Sequence, residues 1–257
     1  MLTPYEQKYA LTFAKMHGIV ERKLLKIFYQ ALADSIMPVL STLNPNNVRS
    51  DVWVTAYQKA YKLTTRFADY EYKQLKSQNS KSFISFLNDI FAGRMAAYGA
   101  AVGLKYSKDL TETTIEKIQK ALSEAAQNYM THTQTARLIA KYVVDKKRAL
   151  LIARTETTTA ANLAKQEGAK EYFKEIGEDI DTGYKMWISR MDGKERHDHE
   201  VANEQAVHSN EKFIVGDEEA DAPGDPTLSA SERVRCRCTH ITMTAAGYRR
   251  RHARQNV

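Results

Sequence analysis

Apolar side chains recur every three or four residues up to about residue 177, and only beyond it do they alternate. The chain starts with a helix signal. Thr3 can cap, Pro4 suits the first helical position and Glu6 completes a capping box. Phe13, Met16, Val20, Leu24, Ile27 and Ala31 then mark one helix face, predicting a helix to about Pro38. Asn44-Pro45-Asn46-Asn47 reads as a loop. A second helix is expected from Ser50 to about Leu75, with a break at Asn79-Ser80 and a third helix over about 82–104. The small residues of that third stretch, Ala92-Gly93 and Ala96 to Gly103, allow close approach to another helix. Thr111 opens a fourth helix to about Tyr129, Thr133 or Thr135 a fifth, and Asp145 a sixth to about Tyr172. Strands are expected at Tyr184–Ser189, Phe213–Val215 and Val234–Met243. Between them lie a short polar helix or loop at Arg196–Ala202 and an acidic loop over 217–231. The fold class is therefore α+β: a mainly helical region over 1–145, a small α+β domain with a short sheet over 146–248, and a basic tail over 249–257.

Composition narrows the class. The 257 residues are 43% apolar and 27% charged, which fits neither a disordered nor a collagen-like chain. The longest apolar run, Ala96 to Leu104, is interrupted by two glycines and is too short to span a bilayer. The first residues lack the basic-then-apolar layout of a signal peptide. Two cysteines, two residues apart, cannot staple a chain of this length. A soluble protein that folds in a reducing compartment, with no membrane partner, is expected.

Charge divides the chain more sharply than composition does. Residues 1–150 carry 22 Lys+Arg against 12 Asp+Glu, and residues 151–257 carry 16 against 19. Such asymmetry predicts units with different partners, although lysine-rich faces can also be merely solvated. Arg249, Arg250, Arg251 and Arg254 form a tail suited to phosphate contact without base reading, or else a frayed solvated end. Lys146-Lys147-Arg148 add to the basic surface, so any DNA binding should be sequence-independent and salt-sensitive.

An ordered set of chemistry-bearing residues occupies the second half. Arg154-Thr155-Glu156 lies on a helix and Trp187 on the following strand. Asp192, Arg196, His197 and His199 come next, then Gln205, Phe213, Pro223-Gly224-Asp225-Pro226 and Cys236-Arg237-Cys238. The series resembles the phage Mu F-like minor head proteins, or head morphogenesis proteins, over about residues 148–246. His199 is taken as the motif histidine because it stands three residues after Arg196. The resemblance implies a structural minor capsid protein of a tailed bacteriophage, not an enzyme. It would act in prohead assembly at or near the portal vertex. Its partners would be portal protein, major capsid or scaffold proteins, and double-stranded DNA. Its location would be the capsid interior, and the host cytoplasm before assembly.

The residues themselves leave several readings open. Arg154 and Glu156, two apart on a helix, do not face each other. Arg154 could fork onto Asp192 or Asp225, and Glu156 could receive Arg196 or orient His199. With Trp187, these would form a buried polar tether; two solvated side chains are the competing reading. Cys236 and Cys238 on a strand would share a face with His240. With His199 they could hold a structural zinc, or be small buried hydrophobes, and no cofactor is required. The alternative function is a virion-carried nuclease or transferase-type effector using Glu156 and His199.

Overall fold

The computed structural model describes residues 2–77 and 85–255, and the side chains of residues 77, 85–88, 254 and 255 are outside that description. The fold is α+β, with a helical N-terminal region and a small antiparallel sheet region in the C-terminal part. Nine helices are described: α1 (Pro4–Thr42), α2 (Asp51–Lys62), α3 (Thr65–Ser77), α4 (Ser85–Gln127), α5 (His132–Val143), α6 (Lys146–Glu175), α7 (His197–Val201), α8 (Ala230–Arg233) and α9 (Ala245–Gln255). The described strands are β1 (Tyr184–Ile188), β2 (Ala206–His208), β3 (Phe213–Val215), β4 (Glu218–Ala220) and β5 (Thr239–Met243). Two compact units result, and neither follows the expected segments 1–145, 146–248 and 249–257. One combines Met1–Val20, Thr64–Gly93 and Arg154–Val257; the other combines Glu21–Leu63 and Arg94–Ala153.

The purely helical unit shows how local chemistry sets its elements. α1 runs past Pro38 although the proline forgoes its own i−4 bond, and the Ser41 and Thr42 hydroxyls donate back to the Pro38 carbonyl. The helix expected from Ser50 to Leu75 divides at Leu63-Thr64. Consecutive β-branched threonines are poor in a helix interior but suited to a start. Conversely, the helices expected at 82–104 and from Thr111 are one helix. Thr113 and Thr114 do not cap: their hydroxyls donate to Asp109 O (2.8 Å) and Leu110 O (2.7 Å) within the helix. The expected Asn79-Ser80 break and the start at 82 lie outside the described residues. α5 begins earlier than expected, at a capping box of Thr131 with Gln134. The small residues of α4 permit a close helix contact. A Cβ on Gly99 would stand 2.7 Å from Tyr57 O, and one on Gly103 3.0 Å from Val54 Cα.

In the sheet-bearing unit, β1 is central, with β2 and β5 antiparallel on either side. Its pleat separates two apolar clusters. Met186 and Ile188 pack with Tyr9, Ile241 and Met243. Trp187 points the other way, among Ala202, Phe213, Val215, Leu228, Cys236 and Cys238. β3 and β4 form a hairpin whose turn uses Gly216 at φ +59°. β2, β4 and α8 are additions to the expected elements. The strand expected over Val234–Met243 shortens to Thr239–Met243. Arg235 takes φ +60° and the Cys236 N–H turns back to Arg233 O, so Cys236 and Cys238 are not strand residues.

α6 is the spine of this unit. Thr155 to Thr159, Asn162 and Lys165 are buried beside Ala160, Ala161 and Ala164. Farther along, Gly168 meets α3: a Cβ there would be 2.8 Å from the Ala68 carbonyl carbon and closer still to its oxygen. Gly168→Ala gains about 1 kcal/mol of helix propensity but forces two backbones apart, at about 1–3 kcal/mol. A net loss of stability is expected, read as a lower denaturant midpoint than the wild type; an equal or higher midpoint would refute the contact.

Candidate functional site

Side chains of α6 spaced by three and four residues grip the segment leading into β5. The Arg235 N–H donates to Thr155 Oγ1 (3.2 Å), and Thr158 Oγ1 donates to Cys236 O (2.5 Å). Asn162 Nδ2 donates to Cys238 O (3.2 Å), and Thr239 Oγ1 donates to Asn162 Oδ1 (3.0 Å). Lys165 Nζ donates to Thr239 Oγ1 (2.7 Å) and to His240 O. The same face holds the Pro-Gly-Asp-Pro loop: Thr159 Oγ1 donates to Gly224 O (2.6 Å) and Asn162 Nδ2 to Pro223 O (2.9 Å). Gly224 sits at φ +77°, and a Cβ there would be 3.0 Å from Thr158 Cγ2. Asp225 organises the loop itself, accepting from the Asp221 and Thr227 N–H groups.

Buried titratable groups support this face. Lys165 is fully buried, and burial lowers its pKa to about 8 against the opposing pull of Glu71, 4.0 Å away. Tyr9 donates to Glu71, whose other oxygen accepts from the Thr242 N–H at 3.1 Å. His17 Nε2 lies 3.0 Å from Thr158 Oγ1. Thr158 gives its proton to Cys236 O, so the His17 Nε2 is the donor here. Burial first, then the charges of Arg190, Arg154 and Arg237, lower His17 to about 4.

A second cluster lies between α7 and the turn before β5. His199 Nδ1 is 3.3 Å from Cys238 Sγ and 3.7 Å from Cys236 Sγ, while Nε2 is 3.1 Å from Glu232 Oε2. Ser189, just beyond β1, donates to His199 O. The Trp187 ring stands edge-on to the imidazole at 5.7 Å. Arg196 donates to Glu232 O and Val234 O, tying the start of α7 to the end of α8. Cys238 is held well below the usual thiol range by the Cys236 hydrogen bond and, against burial, by His199. The Cys236 thiol is pushed up by that same bond and by burial. Burial opposes a charge on His199, yet its contact with Cys238 leaves the imidazole above its ordinary value.

The expected residues thus divide. Trp187, Arg196, His199, Cys236 and Cys238 come together, and Glu156 is buried nearby on α6. Glu156, however, receives Arg233 (2.6 Å) instead of Arg196 or His199. Arg154 is exposed and takes neither expected carboxylate. Asp192 is forked by Arg237 (2.5 and 2.8 Å), and Asp225 serves its own loop. His240 is buried, but it is not among the metal-capable group formed by His199, Cys236 and Cys238. Gln205 pairs with both backbone groups of Ile214. In the tail, Arg249 and Arg250 are exposed on α9. Arg251 is buried against Glu6 (2.6 Å) and Glu204 (2.9 Å), and the side chain of Arg254 lies outside the described residues. Glu232, Arg233, Asn162, Lys165 and Glu71 were not singled out from the sequence. For the α6 residues, a signal existed in the Thr, Asn and Lys spacing of 155–165.

The family model described as Phage Mu protein F like protein matches residues 116–241. Over that stretch the chain is similar to the phage Mu F-like family. The matched residues include the α6 polar face, α7, the Pro223–Pro226 loop and both cysteines. That similarity points to phage head morphogenesis. No curated protein and no solved structure matches the chain. No helix among the described residues is long and apolar enough to cross a membrane.

Two measurements test the electrostatics of this Mu F-like region. Glu156→Ala removes the carboxylate from a buried guanidinium and should cost about 3 kcal/mol in urea unfolding, whereas exposed Arg154→Ala should cost well under that. His17 titrates at 6.5 when unfolded and about 4 when folded, so the folded state binds fewer protons between those values. Its contribution is complete above pH 6.5 and is lost as pH falls towards 4, by up to about 3 kcal/mol. His17→Gln keeps a donor for Thr158 and should flatten that window in denaturant midpoints followed from neutral pH to near pH 4.

Proposed function

We propose that this Mu F-like protein is a structural minor capsid protein of a tailed bacteriophage. It is built into the prohead at or near the portal vertex and touches DNA without reading sequence. One observation carries the reading: in the matched region a face of buried polar side chains on α6 is spent on the chain's own loop and turn backbone. Thr158, Thr159, Asn162 and Lys165 donate to carbonyls or to Thr239, half-buried Arg196 donates to Glu232 O, and Asp225 accepts from its loop. Such an arrangement resists deformation and leaves these groups committed before any substrate arrives. The proposed partners are portal protein and major capsid or scaffold proteins, within the capsid interior. Lys146, Lys147, Arg249 and Arg250 are exposed and suit phosphate contact. Arg251 is given instead to Glu6 and Glu204.

One observation favours a virion-carried effector as a second reading. Cys238, His199 and Glu232 form a relay with nucleophile, base and orienting carboxylate in order. Both thiols are only 2% exposed, which weighs against attack on a substrate.

Isolated proheads should contain this chain, and it should co-purify with portal protein. Its absence from heads would end the structural reading. His199→Ala, assayed separately for head assembly and for nuclease activity, should affect only assembly. An Arg249→Ala/Arg250→Ala variant should bind DNA less tightly, with the log–log salt slope reduced by about two. An unchanged slope would move the DNA contact elsewhere.

A further inference from the structure

We propose that His199, Cys236 and Cys238 hold a zinc ion that staples α7 to the turn before β5. The donor atoms already stand where such an ion needs them. Tetrahedral zinc, with bonds of about 2.3 Å to sulfur and about 2.0–2.1 Å to nitrogen, separates sulfur from nitrogen by about 3.6 Å. The observed separations from His199 Nδ1 are 3.3 Å to Cys238 and 3.7 Å to Cys236. All three donor atoms lie within 4.8 Å of one another. A single S–H···N hydrogen bond accounts for one of the two contacts, because the ring nitrogen has one lone pair. A shared cation accounts for both.

The surroundings fit the same ion. Glu232 Oε2 lies 3.1 Å from Nε2, so that nitrogen carries the proton and Nδ1 presents its lone pair to the metal. Each ligand residue is 2% exposed, which excludes competing water and suits a structural ion. Two thiolates and an imidazole favour zinc over the hard cations, whose sites are built of oxygen. Three protein ligands leave the fourth place to a single ordered water. A disulfide between residues two apart would be badly strained. The ion also has mechanical work here: the sheet has three strands, and β2 has only three residues. A metal staple offsets so small a core.

The test uses the full-length protein, produced with zinc in the medium and without a histidine tag. Elemental analysis should find about one zinc per chain, and little in Cys236→Ser/Cys238→Ser. Glu232→Gln keeps all three ligands and should weaken zinc about 10- to 100-fold in competition with a chromophoric chelator. Should the double variant not fold, the wild-type content and the Glu232→Gln competition decide. Wild-type protein without zinc, a Cys236–Cys238 disulfide by mass, zinc content unchanged in the double variant, or unchanged affinity in Glu232→Gln would each overturn the proposal. These readings are made on the isolated chain, so they stand or fall separately from the head-assembly role.

Discussion

β5 is an edge strand, and the backbone on its open side must find partners or remain unpaired. α6 supplies them. Its Thr155, Thr158, Asn162 and Lys165 bond to residues 235, 236, 238, 239 and 240 in chain order, and Glu71 takes the N–H of Thr242. A helix face thereby does what a neighbouring strand would do. This explains why a helix centre carries three consecutive threonines, which are weak helix formers, and a fully buried lysine. Their hydroxyl, amide and ammonium groups reach a backbone that alanine or leucine would leave unsatisfied.

The same grip sets the chemistry of the site. Holding Cys236 O and Cys238 O against α6 leaves both thiols on the far side of the turn, towards His199 and the Trp187 cluster. Arg196 then fixes α7 to the end of α8, and Glu156 anchors Arg233 next to Glu232. The imidazole is therefore held from both ends, by sulfur at Nδ1 and carboxylate at Nε2. The imidazole and both thiols are thereby held in place and shielded from solvent.

Much of the local structure was legible. The Thr3/Glu6 capping box forms as its spacing implies, with Thr3 N to Glu6 Oε2 at 2.7 Å. β1 and β3 lie where alternation placed them, and the glycines of α4 do admit close neighbours. Errors gathered where one residue type has two local uses. Threonine can cap a helix or back-bond inside it, so Thr111 suggested a start where α4 continues, and Thr64-Thr65 concealed one. Among the site residues, aromatic and thiol positions were readable from burial tendency. The ion-pair partners were not: Asp192 prefers Arg237, and Glu156 prefers Arg233.

Periodicity and capping residues by themselves determined the helical region and the strand segments, because each depends on residues close together in the chain, while the ordered motif series pointed to the Mu F-like family. Only the tertiary structure decided that Tyr9, His17 and Glu71 would brace α6, that Arg251 would turn inward to Glu6, and that His199 would meet two thiols. Those pairings join residues up to 245 positions apart. Desolvation makes each of them selective: once buried, a charge or polar group takes whichever partner the packed backbone brings within reach, and spacing along the chain no longer specifies which.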